Sequence, residues 1–263
     1  MKKEILTLLS LFPVLILFLL ATTFISACAP QNKITVTVKE VSFDMIRVEA
    51  GTFDMGATSE QQDPDDNEKP VHKVRLVKDY YIGKTEVTQA LWKAVMGSNP
   101  SEIEGVNKPV ECVSYNDCQE FVSKLNAATG KNFRLPTEAE WEFAARGGNK
   151  SKHYQYSGSN KLDDVAWYWD NSNMTTHDVA TKKPNELGIY DMSGNVFELC
   201  LDWYRNYGSI ARYSNPEDPD ASYCVYRGGC WCYYATGCRS SFRDGGSIDG
   251  HGCNLGFRLV LPE

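Results

Sequence analysis

Apolar positions recur at helical spacing along residues 86–96, with Val87, Ala90, Leu91, Ala94 and Val95 on one face and Gly97 closing the run. That pattern predicts an amphipathic helix. A second helix is predicted from the Ser114 cap to Ala128, with Cys118, Phe121, Val122 and Leu125 as its stripe and Gly130 beyond its end. A third opens at Thr137, where Glu140 completes a capping box, and runs through Trp141 and Phe143 to Gly147. Residues 45–53 instead alternate like a half-buried strand, followed by a turn at Asp54-Met55-Gly56. Two terminal strands, 47–53 and 256–261, are expected to pair and bring the chain ends together. Beyond Gly148 regular periods give way to Gly, Asn, Ser, Asp and Tyr, so scattered aromatics (Trp167, Trp169, Trp203, Trp231) are expected to supply the core there.

The head of the chain has a different pattern. Lys2 and Lys3 precede an apolar run from Ile5 to Ile25, ending in small residues before Cys28. A basic start, an apolar stretch and small residues make an export signal, and the cysteine after them resembles the lipobox of bacterial lipoproteins, in which that thiol is acylated. The expected organisation is a signal peptide over 1–27, a tether lipidated on Cys28 over 28–42, and one α+β domain over 43–263. An uncleaved membrane-spanning helix is the rival, since the run reaches the ~20 residues a bilayer requires. Both readings put the remainder outside the cytoplasm, held to a membrane.

Composition narrows the partners. The 263 residues carry a formal charge of −7, close to −8 once the signal is removed, so a nucleic-acid partner is not expected. Residues 58–70, with Glu60, Asp63, Asp65, Asp66 and Glu68 alongside Pro64 and Pro70, read as a solvated acidic loop without the glycine and ligand spacing of a calcium loop. Eight cysteines follow Cys28 with no CxxC and no Cys/His ladder, so structural zinc is not expected, and disulfide pairing stays open. His72, His153 and His177 show no metal spacing, and hydrolase or nucleotide-binding glycine motifs are missing.

Six strings carry a family resemblance: residues 45–56 (MIRVEAGTFDMG), 81–88 (YIGKTEVT), 133–142 (FRLPTEAEWE), 188–198 (GIYDMSGNVFE), 226–229 (YRGG) and 255–258 (LGFR). In that order they resemble the formylglycine-generating, sulfatase-modifying family. The resemblance implies an irregular variant of the C-type lectin fold. Active members carry a Cys-x4-Cys pair that binds copper and oxidises a sulfatase cysteine. Here Cys232 and Cys238 are one residue too far apart, Cys238 resembles a packing cysteine of the family, and the loop looks shortened. A calcium site of the family would match Asp191 and Glu198 with the carbonyls of Gly194 and Val196, while a turn hydrogen-bonded through Glu198 and Asn195 is the preferred alternative. No metal and no cofactor are therefore expected.

Residues 227–258 have an unusual composition. These 32 residues lack Lys, Glu, Gln and Met, which supply 46 of the 263 residues overall, so about five or six would be expected if composition were even. Randomising both adenines of AAC codons yields every residue except those four and Trp, the signature of diversity-generating retroelements. Trp231 would then be an invariant residue, and Arg227-Gly228-Gly229, Arg239-Ser240-Ser241, Arg243 and residues 256–260 the unrandomised framework. Export signal, fold and loop together resemble the variable lipoproteins of such elements. A glycine- and cysteine-rich loop of an undiversified family member is the rival explanation.

The expected function is a non-catalytic, lipid-anchored surface protein whose C-terminal loops bind a protein or glycan ligand. The expected exposed contact positions are Cys232, Tyr233, Tyr234, Thr236, Gly237, Phe242, Asp244, Gly245, Gly246, Ile248, Asp249, Gly250 and His251. Tyrosines among small polar residues suit a paratope-like surface because they offer broad contact at low entropic cost. For Tyr233 and Phe242, packing into the core is the alternative. The competing function is a copper-dependent formylglycine-generating oxidase using Cys232 with Cys238.

Overall fold

A computed structural model describes residues 31–207 and 222–263; the signal segment and Cys28 lie outside the described residues. The elements are β1 (Lys33–Val38), β2 (Val41–Val48), β3 (Gly51–Met55), β4 (His72–Leu76), β5 (Tyr80–Gly83), α1 (Gln89–Met96), α2 (Tyr115–Thr129) and α3 (Glu138–Ala145). They continue with α4 (Leu162–Val165), β6 (Phe197–Trp203), β7 (Tyr223–Arg227), β8 (Arg243–Ser247), β9 (Leu255–Gly256) and β10 (Val260–Pro262). The result is a mixed α+β fold with sheets ordered β1-β2-β5-β10, β3-β4 and β8-β7-β6-β9. No helix among the described residues is long and apolar enough to cross a membrane.

The first sheet is buried on both faces. Met45 and Tyr81 enter a core with α1 and α2, in which Trp92 stacks on Phe121 at 5.1 Å and Phe257 meets both rings edge-on. Ile46, Val48, Tyr80 and Ile82 point the other way, into a core with Trp141 and Phe143 of α3. Alternate side chains of one strand thus serve two cores, as the period of two requires.

Local signals placed the helices. Thr88 accepts the Leu91 amide at 3.2 Å, and Gly97 ends α1 at φ 91°. Ser114 with Asp117, and Thr137 with Glu140, form capping boxes on α2 and α3. The first helix begins three residues later than its apolar pattern suggests, because the Val87 amide bonds Phe257 O and its carbonyl accepts from Val110 N, both at 2.9 Å. Those bonds hold Val87 in an extended connection.

Five expectations are corrected. The stretch 45–53 is not one strand: β2 ends at Val48 and β3 starts at Gly51 in another sheet. The terminal strands share a sheet but do not pair directly, since β5 lies between β2 and β10. The expected tether contains β1, which pairs with β2 from Lys33↔Ile46 to Val38↔Val41. The acidic loop is not uniformly solvated: Asp66–Glu68 form a turn of 3-10 helix whose Glu68 is completely buried. Trp169, assigned to the core from sequence, is 44% exposed.

Candidate ligand-binding site

The segment after β7 is held by four arginines, all buried. Arg227, at the end of β7, pairs with Glu142 and donates to the carbonyls of Ser240, Ser241 and Phe242. Arg239 grips Glu68 with bonds of 2.5 and 2.7 Å. Arg243 makes a two-pronged pair with Glu138 at 2.6 and 2.8 Å and donates to Arg205 O at 2.7 Å. Arg258 binds both oxygens of Glu198 at 2.5 and 2.6 Å and the carbonyl of Gly83 at 2.9 Å. The planar guanidinium fork suits such two-point pairing.

The carboxylates come from α3, the 66–68 turn and β6, so the four arginines tie the segment to three different parts of the core. Burial pushes Glu68 and Glu138 upward, but bonds from Arg239 and Arg243 outweigh it and hold both below the ordinary glutamate value. Burial works against the charge of Arg258 as well, yet Glu198 keeps its pKa raised. Each buried charge therefore depends on its partner.

Between these anchors the chain reaches solvent in two places. Residues 230–238 form a turn at Cys230, where the Tyr233 amide bonds Cys230 O at 3.0 Å, followed by a 3-10 turn over Ala235–Cys238. Tyr234 is 63% exposed, its ring 5.7 Å from that of Trp169, and the Trp169 amide bonds Tyr233 O. Thr236 is exposed beside them.

The second place is the tip after β8. Here Asp249 accepts from Asn116 at 3.0 Å, His251 meets Asp117 at 2.9 Å, and the Tyr115 amide bonds Ile248 O at 3.1 Å. The tip is thereby docked on the N-terminus of α2. Asp117 is held below its ordinary value: burial alone would raise it, but bonds from Ser114 and His251 prevail.

Of the expected contact positions, Tyr234, Thr236, Asp249 and His251 are exposed, while Cys232, Tyr233, Asp244, Gly245, Gly246, Ile248 and Gly250 are half-buried. Gly237 and Phe242 are buried and are corrected. Phe242 packs with Phe197 and Tyr233, the latter at 5.6 Å between centroids. Tyr233 leans edge-on against Phe197 at 5.4 Å, so its ring supports the loop more than it faces a ligand. A Cβ on Gly237 would lie 2.2 Å from the Tyr233 ring, and one on Gly245 2.4 Å from the Tyr204 ring. These glycines are seats for aromatic rings, which sequence reasoning did not separate from loop positions. It also missed the glutamates that anchor the arginines, and Trp169. The one available signal was four arginines in a segment with no glutamate of its own.

The copper pair does not fit. Cys238 is enclosed with Leu162, Ala166 and Tyr168, and burial pushes its thiol up to about 12. Cys232 packs in a different cluster with Cys230 and Phe242. Around the family's calcium positions, Glu198 is occupied by Arg258 and by the Trp141 indole at 2.8 Å. Asp191 accepts the Ala180 amide at 2.7 Å, and the Asn195 side chain bonds the His177 amide. Among the described residues no group of three or more His, Cys, Asp or Glu is arranged to hold a metal.

Residues 32–262 match the sulfatase-modifying factor enzyme 1-like domain. A relative named chaperone protein LppX, from Paenibacillus barcinonensis, is 33% identical over 94% of this chain and 98% of its own length. A formylglycine-generating enzyme of Streptomyces coelicolor is 28% identical over 82% of this chain and 88% of its own. Among solved structures, Treponema denticola variable protein 1 superposes with a TM-score of 0.79 at 33% identity, covering 89% of this chain and 100% of that one.

Proposed function

The chain belongs to the sulfatase-modifying factor enzyme 1-like family, and we propose that it is a non-catalytic surface protein, anchored through a lipid on Cys28, whose C-terminal loops bind a ligand and are diversified by a retroelement. The observation that carries this reading is the division within residues 227–258: the four arginines are buried on carboxylates outside the segment, while Tyr234, Thr236, Asp249 and His251 face solvent. A scaffold so anchored tolerates change in what lies between its anchors, because the core carries the packing and the loops carry recognition. The likeness to a Treponema denticola protein named as variable supports the same reading. Likeness along nearly the whole chain to a relative named a chaperone supports a protein ligand over a glycan. The Tyr234–Trp169 surface is a natural hot spot for either, as aromatic anchors dominate binding energy.

Sequencing the 3' end of the gene across isolates, with a search of adjoining DNA for a near-copy, tests the proposal. The expected result is differences confined to codons 230–254 that map onto adenines of the copy, with codons 227, 239, 243 and 258 unchanged. Invariant codons with no near-copy would sink the diversification. The copper-oxidase reading draws on the relative named a formylglycine-generating enzyme. It is tested by mass spectrometry of a cysteine-bearing sulfatase peptide incubated with copper-loaded protein, and an unmodified peptide is expected.

A further inference from the structure

All eight described cysteines are free thiols, and two of them stand apart from the rest. The sulfurs of Cys230 and Cys232 are 3.5 Å apart. We propose that Cys230 and Cys232 form a redox dithiol that exchanges with external disulfides and closes into an intramolecular disulfide. This does not rest on the ligand-binding reading, and it concerns residues distinct from the Cys232–Cys238 pair.

The turn that makes the pair is held from three sides. Between the two cysteines, the Trp231 amide bonds Asn195 O at 2.8 Å, its indole bonds Cys253 O at 3.1 Å, and its carbonyl accepts from Ser172 at 2.7 Å. The Tyr233 amide closes the turn on Cys230 O. With Trp231 pinned, both thiols project from a fixed backbone onto one side, where the Asn254 amide reaches the two sulfurs at 3.6 and 3.7 Å. Closing to a disulfide requires the sulfurs to approach by about 1.5 Å, from 3.5 Å to the length of an S–S bond.

The two thiols have unequal roles. Cys230 is fully buried, whereas Cys232 is half-exposed and accessible to an incoming reagent. The hydrogen bond from Cys230, with help from Asn254, draws the Cys232 thiol down to about 7, while burial drives Cys230 strongly upward. Cys232 is therefore the attacking sulfur and Cys230 the resolving one, the division of labour of a paired-cysteine site.

The reaction takes a small-molecule disulfide, RSSR, as oxidant. The Cys232 thiolate attacks one of its sulfurs, a Cys232–SR bond forms, and RS− leaves to take up the proton Cys232 gave up. Cys230 then loses its proton and attacks the Cys232 sulfur, expelling a second RS− that accepts that proton. Two protein thiols become one disulfide, and RSSR becomes two RSH. Outside the cytoplasm such a bond persists.

The test uses the reduced, full chain with glutathione disulfide near neutral pH, quenched with an alkylating agent in denaturant and read by peptide mass spectrometry. The expected product is a Cys230–Cys232 link formed while the other thiols still alkylate. Cys232 should react about tenfold or more faster than Cys112, whose thiol burial holds up at about 12. In Cys230→Ser the glutathione adduct should persist on Cys232, whereas the parent chain resolves it. Equal reactivity of Cys232 and Cys112 in the parent chain, or a lasting adduct there without a disulfide, would overturn the proposal. Both of those readings come from the unmutated protein, so they hold even if the variant folds poorly.

Discussion

Tyr234 and Arg239 belong to the same short segment, yet one is 63% exposed and the other fully enclosed on Glu68. The difference teaches how a single stretch is both scaffold and surface. Arginines at 227, 239, 243 and 258 carry charge into the core and have it neutralised there, so their positions are set by partners that cannot move independently. Tyr234 and Thr236 are constrained mainly by the turn they sit on. Fixed and free positions alternate along the sequence but segregate in space.

The largest effect should follow from removing an anchor. Arg239→Ala strands the Glu68 carboxylate in the core and should cost about 3–5 kcal/mol, the range for breaking a buried pair, read by denaturant unfolding; pairing it with Glu68→Gln should recover part of the loss. A result near zero would erase the contrast between the two regions.

Acid should act on the same anchors. Glu68 and Glu138 have folded pKa values below 4.5, so their contribution is complete above that value and is lost as pH falls through the lower folded values. Asp191 and Asp202 run the other way: burial pushes both up to about 6, so their neutral forms favour the fold at low pH and this contribution declines as pH rises from near 4 through about 6. Thermal unfolding followed across pH 2–8 should therefore fall below 4.5, as Glu68 and Glu138 protonate, and fall again toward 7, as Asp191 and Asp202 ionise.

Crowding a ring seat should have an intermediate effect. Gly237→Ala drives a methyl group into the Tyr233 ring and should cost about 1–3 kcal/mol, as overpacking does, whereas Thr236→Ala next to it should not. Next comes the docked tip: a double-mutant cycle on His251 and Asp117, both substantially exposed, should give a coupling of about 0.2–1 kcal/mol that shrinks in salt. Smallest of all, Tyr234→Ser should shift stability by no more than about 0.5 kcal/mol, and in the ligand-binding reading it should still abolish most affinity once a ligand is in hand. Stability loss comparable to that of Arg239→Ala would show that Tyr234 is scaffold after all.

The helices were legible because their signals are local. Ser114 and Thr137 cap within three residues, and Gly97 and Gly130 terminate by backbone conformation alone, whereas the Thr88 cap was not read and the first helix was started three residues early. The break between β2 and β3 was not legible, since Asp79 makes it: its carboxylate accepts the Ala50 amide at 2.7 Å and pairs with Arg47. Nothing in the alternation of residues 45–53 announces a partner so far along the chain. The same holds for β5, whose insertion between the terminal strands is a matter of which edges meet.

At the candidate site the composition of residues 227–258 pointed to the segment, and its framework arginines were distinguished from the positions between them. Which side chains face water was read only in part: Tyr234, Thr236, Asp249 and His251 do, whereas Phe242 and Gly237 are enclosed. An aromatic ring or a glycine looks the same in sequence whether it meets a ligand or another ring.

The chain's own residues therefore determined the α+β class, the capped helices, the family and the unusual segment, because each depends on short-range pattern or on strings that stay contiguous. Tertiary structure alone decided that Glu68, Glu138, Glu142 and Glu198 hold the four arginines, that β5 separates the terminal strands, and that Cys232 meets Cys230 and not Cys238. Those facts depend on distances between residues remote in sequence or, for Cys230 and Cys232, on a turn that the distant Asn195 and Ser172 hold, and such distances exist only once the two cores have closed around the first sheet.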